Sequence, residues 1–147
     1  MVTPFAGPVM IKSSSAPATH GKSQASLSGD ELEQKVLAIA RGLGLEAKHQ
    51  VKVGRRLWGN ELYIDVVVTE KASRKSLGIE CKAQTSRGTA EEKLPGLISD
   101  IEAWPIPGIL VFAGSGFGTN MKSYLYSTGK AVALEDLESW LKLYFGL

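Results

Sequence analysis

The sequence predicts an α/β domain, a central mixed sheet flanked by helices, and three observations predict it. Two β-rich runs, "LYIDVVVT" and "LGIECKAQ", stand close together near the middle of the chain. Helical periodicity precedes them, returns after them and returns again at the C-terminus. The wholly apolar segment "GILVFAG" follows the second helix and has the composition of a strand buried on both faces. A strand reached through a crossover helix implies a mixed sheet.

At 147 residues the chain has room for one domain with a real core. Its 44% hydrophobic and 22% charged content is that of an ordinary globular protein. A net charge of +2 permits a polyanionic partner without requiring one, because clustering matters more than the sum. The single cysteine, Cys81, excludes a disulfide framework and a cysteine-cluster zinc site, and it fits a reducing cytoplasm. No window approaches the roughly 18 apolar residues of a membrane span, and no basic segment leads into an apolar one at the N-terminus. A soluble, cytoplasmic protein is expected.

Residues 1–27 are rich in Ser, Ala, Pro, Gly and Lys and show neither period, so a mobile tail is expected ahead of a domain spanning 28–147. Ser28 followed by Glu31 is a capping box that starts the first helix. Leu32, Val36, Ile39 and Leu43 form its buried stripe, and Gly42 and Gly44 stop it. Residues 50–53 make a first strand and 54–60 a turn or loop. "LYIDVVVT" is the strongest strand, and the charged connector "EKASRKS" joins it to "LGIECKAQ" as a hairpin or meander. Thr89 with Glu92 repeats the capping box, and that helix runs on through a kink at Pro95. Pro105 and Pro107 bracket the turn into the apolar strand. "SGFGTN" is a glycine loop, "MKSYLYSTG" a short helix, and "KAVALEDLESWLKLYF" a short strand and terminal helix.

The alternation of "LGIECKAQ" puts Leu77, Ile79, Cys81 and Ala83 on one face and Glu80, Lys82 and Gln84 on the other. Glu80 and Lys82 lie ~6.6 Å apart on that face. Asp65, mid-strand just upstream, is expected to share a face with Tyr63 and Val67, and a carboxylate there is costly unless paired, hydrogen-bonded or bound to a metal. If the polar faces align, Asp65 and Glu80 converge as the oxygen donors a hard divalent ion takes. Lys82 beside them can position a water or neutralise a phosphate transition state. Glu-x-Lys alone says little, since Glu33-Gln34-Lys35, Glu46-Ala47-Lys48 and Glu91-Glu92-Lys93 also carry it, all read on helices or their ends. The pattern alone leaves a second reading open, an edge strand that displays charge against aggregation.

"YIDVVV" followed by "GIECKAQ", downstream of the helix "SGDELEQK", resembles the PD-(D/E)xK nuclease superfamily, which includes many restriction endonucleases and archaeal-type Holliday junction resolvases. The resemblance runs over roughly residues 28–112 and implies a restriction-endonuclease-like αβββαβ core. It implies Asp65, Glu80 and Lys82 as catalytic residues, joined by Glu33, which matches a glutamate some members carry on the first helix. The metal set it implies is Asp65, Glu80, Cys81 and Glu33, holding Mg²⁺ or Mn²⁺. Helical geometry allows Glu33 this part, about 100° from Leu32 at the margin of the buried stripe. Gln84 matches a glutamine that touches DNA or the metal's water in some members. The proline that often precedes the motif aspartate is absent, and Ile64 stands there.

Arg55, Arg56 and Arg87, with Gln84, make the expected DNA-binding set. Lys48, Lys52, Arg74 and Lys75 are further candidates for phosphate contact, although charge-rich loops are often simply solvated. His20 lies in the tail and His49 in a loop, neither with a recognisable partner. "GSGFG" lacks the spacing of a phosphate loop and reads as a turn or a lip of the groove. Trp58 is either a core or interface aromatic or a stacking platform for an unpaired base. The expected function is a Mg²⁺-dependent, structure-selective DNA endonuclease acting on junctions or flaps as a homodimer. Three alternatives stand beside it: a sequence-specific restriction-type enzyme, a catalytically silent nucleic-acid-binding module of the same fold, and a plain structural α/β protein.

Overall fold

Ser28 opens the first helix as the capping box requires: its hydroxyl accepts from the Glu31 amide at 3.1 Å, and Glu31 accepts from the Ser28 amide at 2.8 Å. The computed structural model describes residues 27–55, 61–84, 89–114 and 116–147, with backbone alone at 55 and 89–93. Most of the expected tail, Arg56, Trp58 and Arg87 lie outside the described residues, as do the side chains of Arg55, Thr89, Glu92 and Lys93.

The order is α1 (Gly29–Gly42), β1 (Glu46–Arg55), β2 (Glu61–Glu70), β3 (Lys75–Ala83), α2 (Thr89–Ala103), β4 (Gly108–Ala113), α3 (Thr119–Ser127), β5 (Ala131–Ala133), a 3-10 turn (Leu134–Asp136) and α4 (Leu137–Phe145). The strands form one mixed sheet in sequence order. β1, β2 and β3 are antiparallel neighbours, and β4 and β5 add in parallel. The two parallel additions are made through α2 and α3, the crossover that the apolar strand implied. α1 ends in a Schellman motif: the Gly44 amide bonds the Arg41 carbonyl at 3.0 Å and the Leu45 amide the Ala40 carbonyl at 3.1 Å, with Gly44 left-handed at φ 84°.

Two apolar layers hold the helices to the sheet. Leu32, Val36, Leu37 and Ala40 of α1 and Leu137 and Leu141 of α4 pack on Val66, Val68, Leu77, Ile79, Cys81 and Val111. On the other face Leu94, Ile98 and Ile101 of α2 and Leu125 of α3 pack on Ile64, Leu110 and Phe112. Trp104 lies over Gly78 and Gly108, and a Cβ at Gly78 would stand 2.8 Å from its ring.

Two sequence expectations need correcting. β1 starts at Glu46 rather than residue 50, so His49 lies in a strand and not a loop, and Glu46-Ala47-Lys48 is strand-borne as well. The reason is pairing: Glu46 to His49 lie opposite Thr69 to Val66, on the strongest strand of the chain. Asp65 does not share the surroundings of Val67, because the alternation of β2 slips between Ile64 and Val67.

Candidate active site

Asp65 sits where two neighbouring strands break step together. In β2, Leu62, Ile64 and Val67 pack with the α2 and α3 layer, whereas Val66 and Val68 pack with the α1 and α4 layer. Alternation therefore slips by one residue between Ile64 and Val67. The β1–β2 ladder is interrupted at the same level: it pairs His49 with Val66 and Val51 with Ile64, leaving out Gln50 and Asp65, and its register shifts just beyond, between Lys52 and Gly54. Gln50 is left-handed at φ 53°, a conformation unusual for anything but glycine or asparagine. The β2–β3 ladder also ends here, its last pair toward this end being Val66 with Ile79.

The freed backbone is satisfied by side chains. Asp65 Oδ2 accepts from the Cys81 amide at 2.9 Å, and Asp65 Oδ1 accepts from Gln50 Nε2 at 3.1 Å. The same Gln50 nitrogen donates to Glu33 Oε1 at 3.2 Å, so one amide group spans two carboxylates. Glu33 is 9% exposed on α1, and His49 Nε2 also bonds its Oε1. Burial pushes the Asp65 carboxyl above its usual range. The Cys81 amide opposes this, the negative Glu33 adds to it, and the Gln50 hydrogen bond opposes it again.

β3 meets Asp65 through the Cys81 amide. Burial pushes the Cys81 thiol well up, and so do the negative charges of Asp65, Glu33 and Glu80 in turn, so all three expected carboxylates act on one residue. The thiol is in the apolar layer under α1, and a neutral thiol is a poor metal ligand. It is the Cys81 amide that meets Asp65. Glu80 and Lys82 are half-buried and lie in register with Leu110 and Phe112, so alternation sets both on the α2 side of β3. The structure thus links Glu33 to Asp65 through the Gln50 amide and sets Asp65 against the Cys81 amide, in the middle of Glu80-Cys81-Lys82.

Other candidates fare differently. Gln84 is 6% exposed, its Nε2 donating to the Gly116 carbonyl at 2.9 Å, so it ties the end of β3 to the glycine loop. That loop is tight: Gly114 has φ 109°, and a Cβ there would run into the Gln84 carbonyl. Lys75 is engaged with α4, bonding the Tyr144 carbonyl at 2.9 Å and lying over its ring. Lys52 pairs with Glu61 at 2.9 Å. Arg55 ends β1, opposite Glu61. His49 and Gln50 were missed by the sequence reading. The signal available was three consecutive polar side chains, Lys48, His49 and Gln50, just before "VKV", where a strand begun earlier would have had to break step.

Two carboxylates bridged by one amide, one of them desolvated, form an oxygen-donor pair suited to a hard cation. Among the described residues no group of three or more His, Cys, Asp and Glu is gathered for a metal. Mg²⁺ needs no such group, since it is commonly held by one or two carboxylates, with waters and substrate phosphates completing the shell. No described helix is long and apolar enough to cross a membrane.

No curated protein matches the sequence. One solved structure, Protein of Unknown Function AF1548, aligns at a TM-score of 0.48 and 20% identity, over 69% of this chain and 57% of that one. The PD-(D/E)XK nuclease superfamily domain matches residues 24–142, which include every element from α1 to β5 and the described carboxylates. By that match, the chain belongs to the PD-(D/E)XK nuclease superfamily.

Proposed function

We propose that this protein is a DNA endonuclease that hydrolyses phosphodiester bonds with Mg²⁺ or Mn²⁺, cutting branched substrates such as junctions or flaps, and that it works as a homodimer. The observation that carries the reading is the sharing of one Gln50 amide by Glu33 and Asp65, beside the Cys81 amide of the Glu80-Cys81-Lys82 segment. Asp65 and Glu33, the pair that Gln50 bridges, would hold the cation, with Glu80 of β3 as a further acidic group of the site; when bound, that cation would supply positive charge to the phosphate and to the attacking water. The Cys81 amide fixes the orientation of the Asp65 carboxylate. Lys82 neutralises charge that builds on the phosphate oxygens as the bond breaks. A domain this small offers little surface for reading a long sequence, which favours shape over base readout. One site per chain needs two chains to cut both strands.

The test is cleavage of labelled linear, nicked, flapped, single-stranded and four-way-junction DNA with Mg²⁺, Mn²⁺ or EDTA. The expected outcome is metal-dependent cutting strongest on a branched substrate, falling roughly 10²-fold or more in Asp65→Ala and in Lys82→Ala. Cutting that survives both substitutions would refute the site. Binding without cutting would leave a silent nucleic-acid-binding module.

A further inference from the structure

Among the described residues Gln50 is the side chain that hydrogen-bonds both Glu33 and Asp65, and it does so from a backbone conformation its residue type does not favour. Left-handed non-glycine residues cost on the order of 1–3 kcal/mol and persist where the surroundings impose them. Here the surroundings are the interruption of the β1–β2 ladder, which leaves Gln50 and Asp65 unpaired. That interruption orients the Gln50 amide toward two acidic side chains.

An amide end group has two faces of opposite polarity, an NH₂ that donates and a carbonyl that accepts. Which one points at a neighbour is set by that neighbour's sign. Facing two carboxylates, Gln50 presents Nε2, 3.2 Å from Glu33 Oε1 and 3.1 Å from Asp65 Oδ1. Facing a cation held by the same carboxylates, the NH₂ would be repelled and the carbonyl oxygen attracted. Turning the amide end over exchanges one for the other without moving the backbone. Glutamine carbonyls are ordinary ligands for hard divalent ions.

We propose that Gln50 is a metal-site residue of this nuclease. Its NH₂ bridges Glu33 and Asp65 in the metal-free protein, and its carbonyl oxygen turns to the divalent cation when one binds between them. This rests on the proposed function, because the cation is the one that Glu33 and Asp65 hold. It assigns β1 a direct part in the site, beside the first helix and the motif strands.

The experiment is a Mn²⁺ titration followed by calorimetry on the wild type, Asp65→Asn, Gln50→Leu and Gln50→Gly. The glycine variant relieves the left-handed backbone while deleting the amide, so a folding defect in Gln50→Leu leaves the test intact. The expected result is binding by the wild type, loss in Asp65→Asn and weakening of about 10–100-fold in both Gln50 variants. In parallel, Mg²⁺ added to ¹⁵N-labelled wild type should shift the Gln50 side-chain NH₂ resonances as they leave the carboxylates. Wild-type binding that Asp65→Asn abolishes, but both Gln50 variants retain at full affinity, would overturn the Gln50 assignment and leave the site standing. Equal titrations for wild type and Asp65→Asn would overturn the metal site itself. Unmoved Gln50 resonances at saturating Mg²⁺ would overturn the turning of the amide.

Discussion

At Asp65 the needs of the site and of the fold pull in opposite directions. Burial and the negative Glu33 push its carboxyl pKa up against the two hydrogen bonds that favour the charge. Between the ordinary carboxylate range and that raised value, the folded protein binds more protons at this position than the unfolded chain does. Stability contributed by Asp65 is therefore full in acid and lost as the pH rises through the folded pKa. Asp65→Asn removes the charge and keeps an oxygen for the Cys81 amide. The expectation is a variant that melts at higher temperature than the wild type at neutral pH, with the advantage vanishing below the carboxylate range. Melting curves of both proteins between pH 3 and 8 check this. A lower melting temperature for Asp65→Asn at neutral pH, without metal, would refute the account. Stability forfeited at a charged site is the usual mark of a residue kept for chemistry.

The elements hold the site by packing that tolerates little change. Trp104, 7% exposed, lies over Gly78, and a Cβ there would stand 2.8 Å from two of its ring carbons, with Ile64 Cδ1 at 3.3 Å. A ring so enclosed has nowhere to move, so Gly78→Ala is expected to cost about 1–3 kcal/mol by overpacking, read as a lowered denaturation midpoint. An unchanged midpoint would mean that the end of α2 is free to lift from the sheet. Much of this architecture was legible: the Ser28–Glu31 box, the alternation around Cys81 and the apolar β4 all depend on local residue types, which a sequence displays directly. The break of step was not legible. It follows from how β1, β2 and β3 pair, and its left-handed residue is Gln50, with no glycine or asparagine to announce it. Asp65, Glu80, Lys82 and Glu33 were therefore named from the sequence, whereas the glutamine and histidine that reach Glu33 emerged only from the register. The burial of Gln84 was not legible for the same reason: its polar side chain says nothing about the glycine loop that it bonds.

Across the whole molecule a net charge of +2 is too small to attract a polyanion, so the distribution of charge decides. On the α2 side the outer parts of β1, β2 and β3 form an open groove of about 700 Å³, floored by Val51, Val67, Thr69 and Ser76 and rimmed by Lys48, Lys71, Arg74 and Glu46. Lys71 faces Glu46 at 3.9 Å, whereas Lys48 and Arg74 have no carboxylate partner among the described residues. Val51 of the groove directly follows Gln50 in β1, so the groove and the residue that bridges the carboxylates are neighbours along one strand. A DNA strand running past the site would meet these cations next, as phosphate contacts that add affinity without sequence preference. Each neutralised phosphate adds about 0.9 to the slope of log affinity against log salt on duplex DNA. Lys48→Ala combined with Arg74→Ala should then lower that slope by about 2 and weaken every DNA substrate to a similar degree. The Mn²⁺ titration of the same double variant should match the wild type, because neither residue touches Glu33, Gln50 or Asp65. An unchanged salt slope would place the DNA path elsewhere on the surface, and a lost Mn²⁺ titration would mean that the groove and the carboxylate pair are one structural unit.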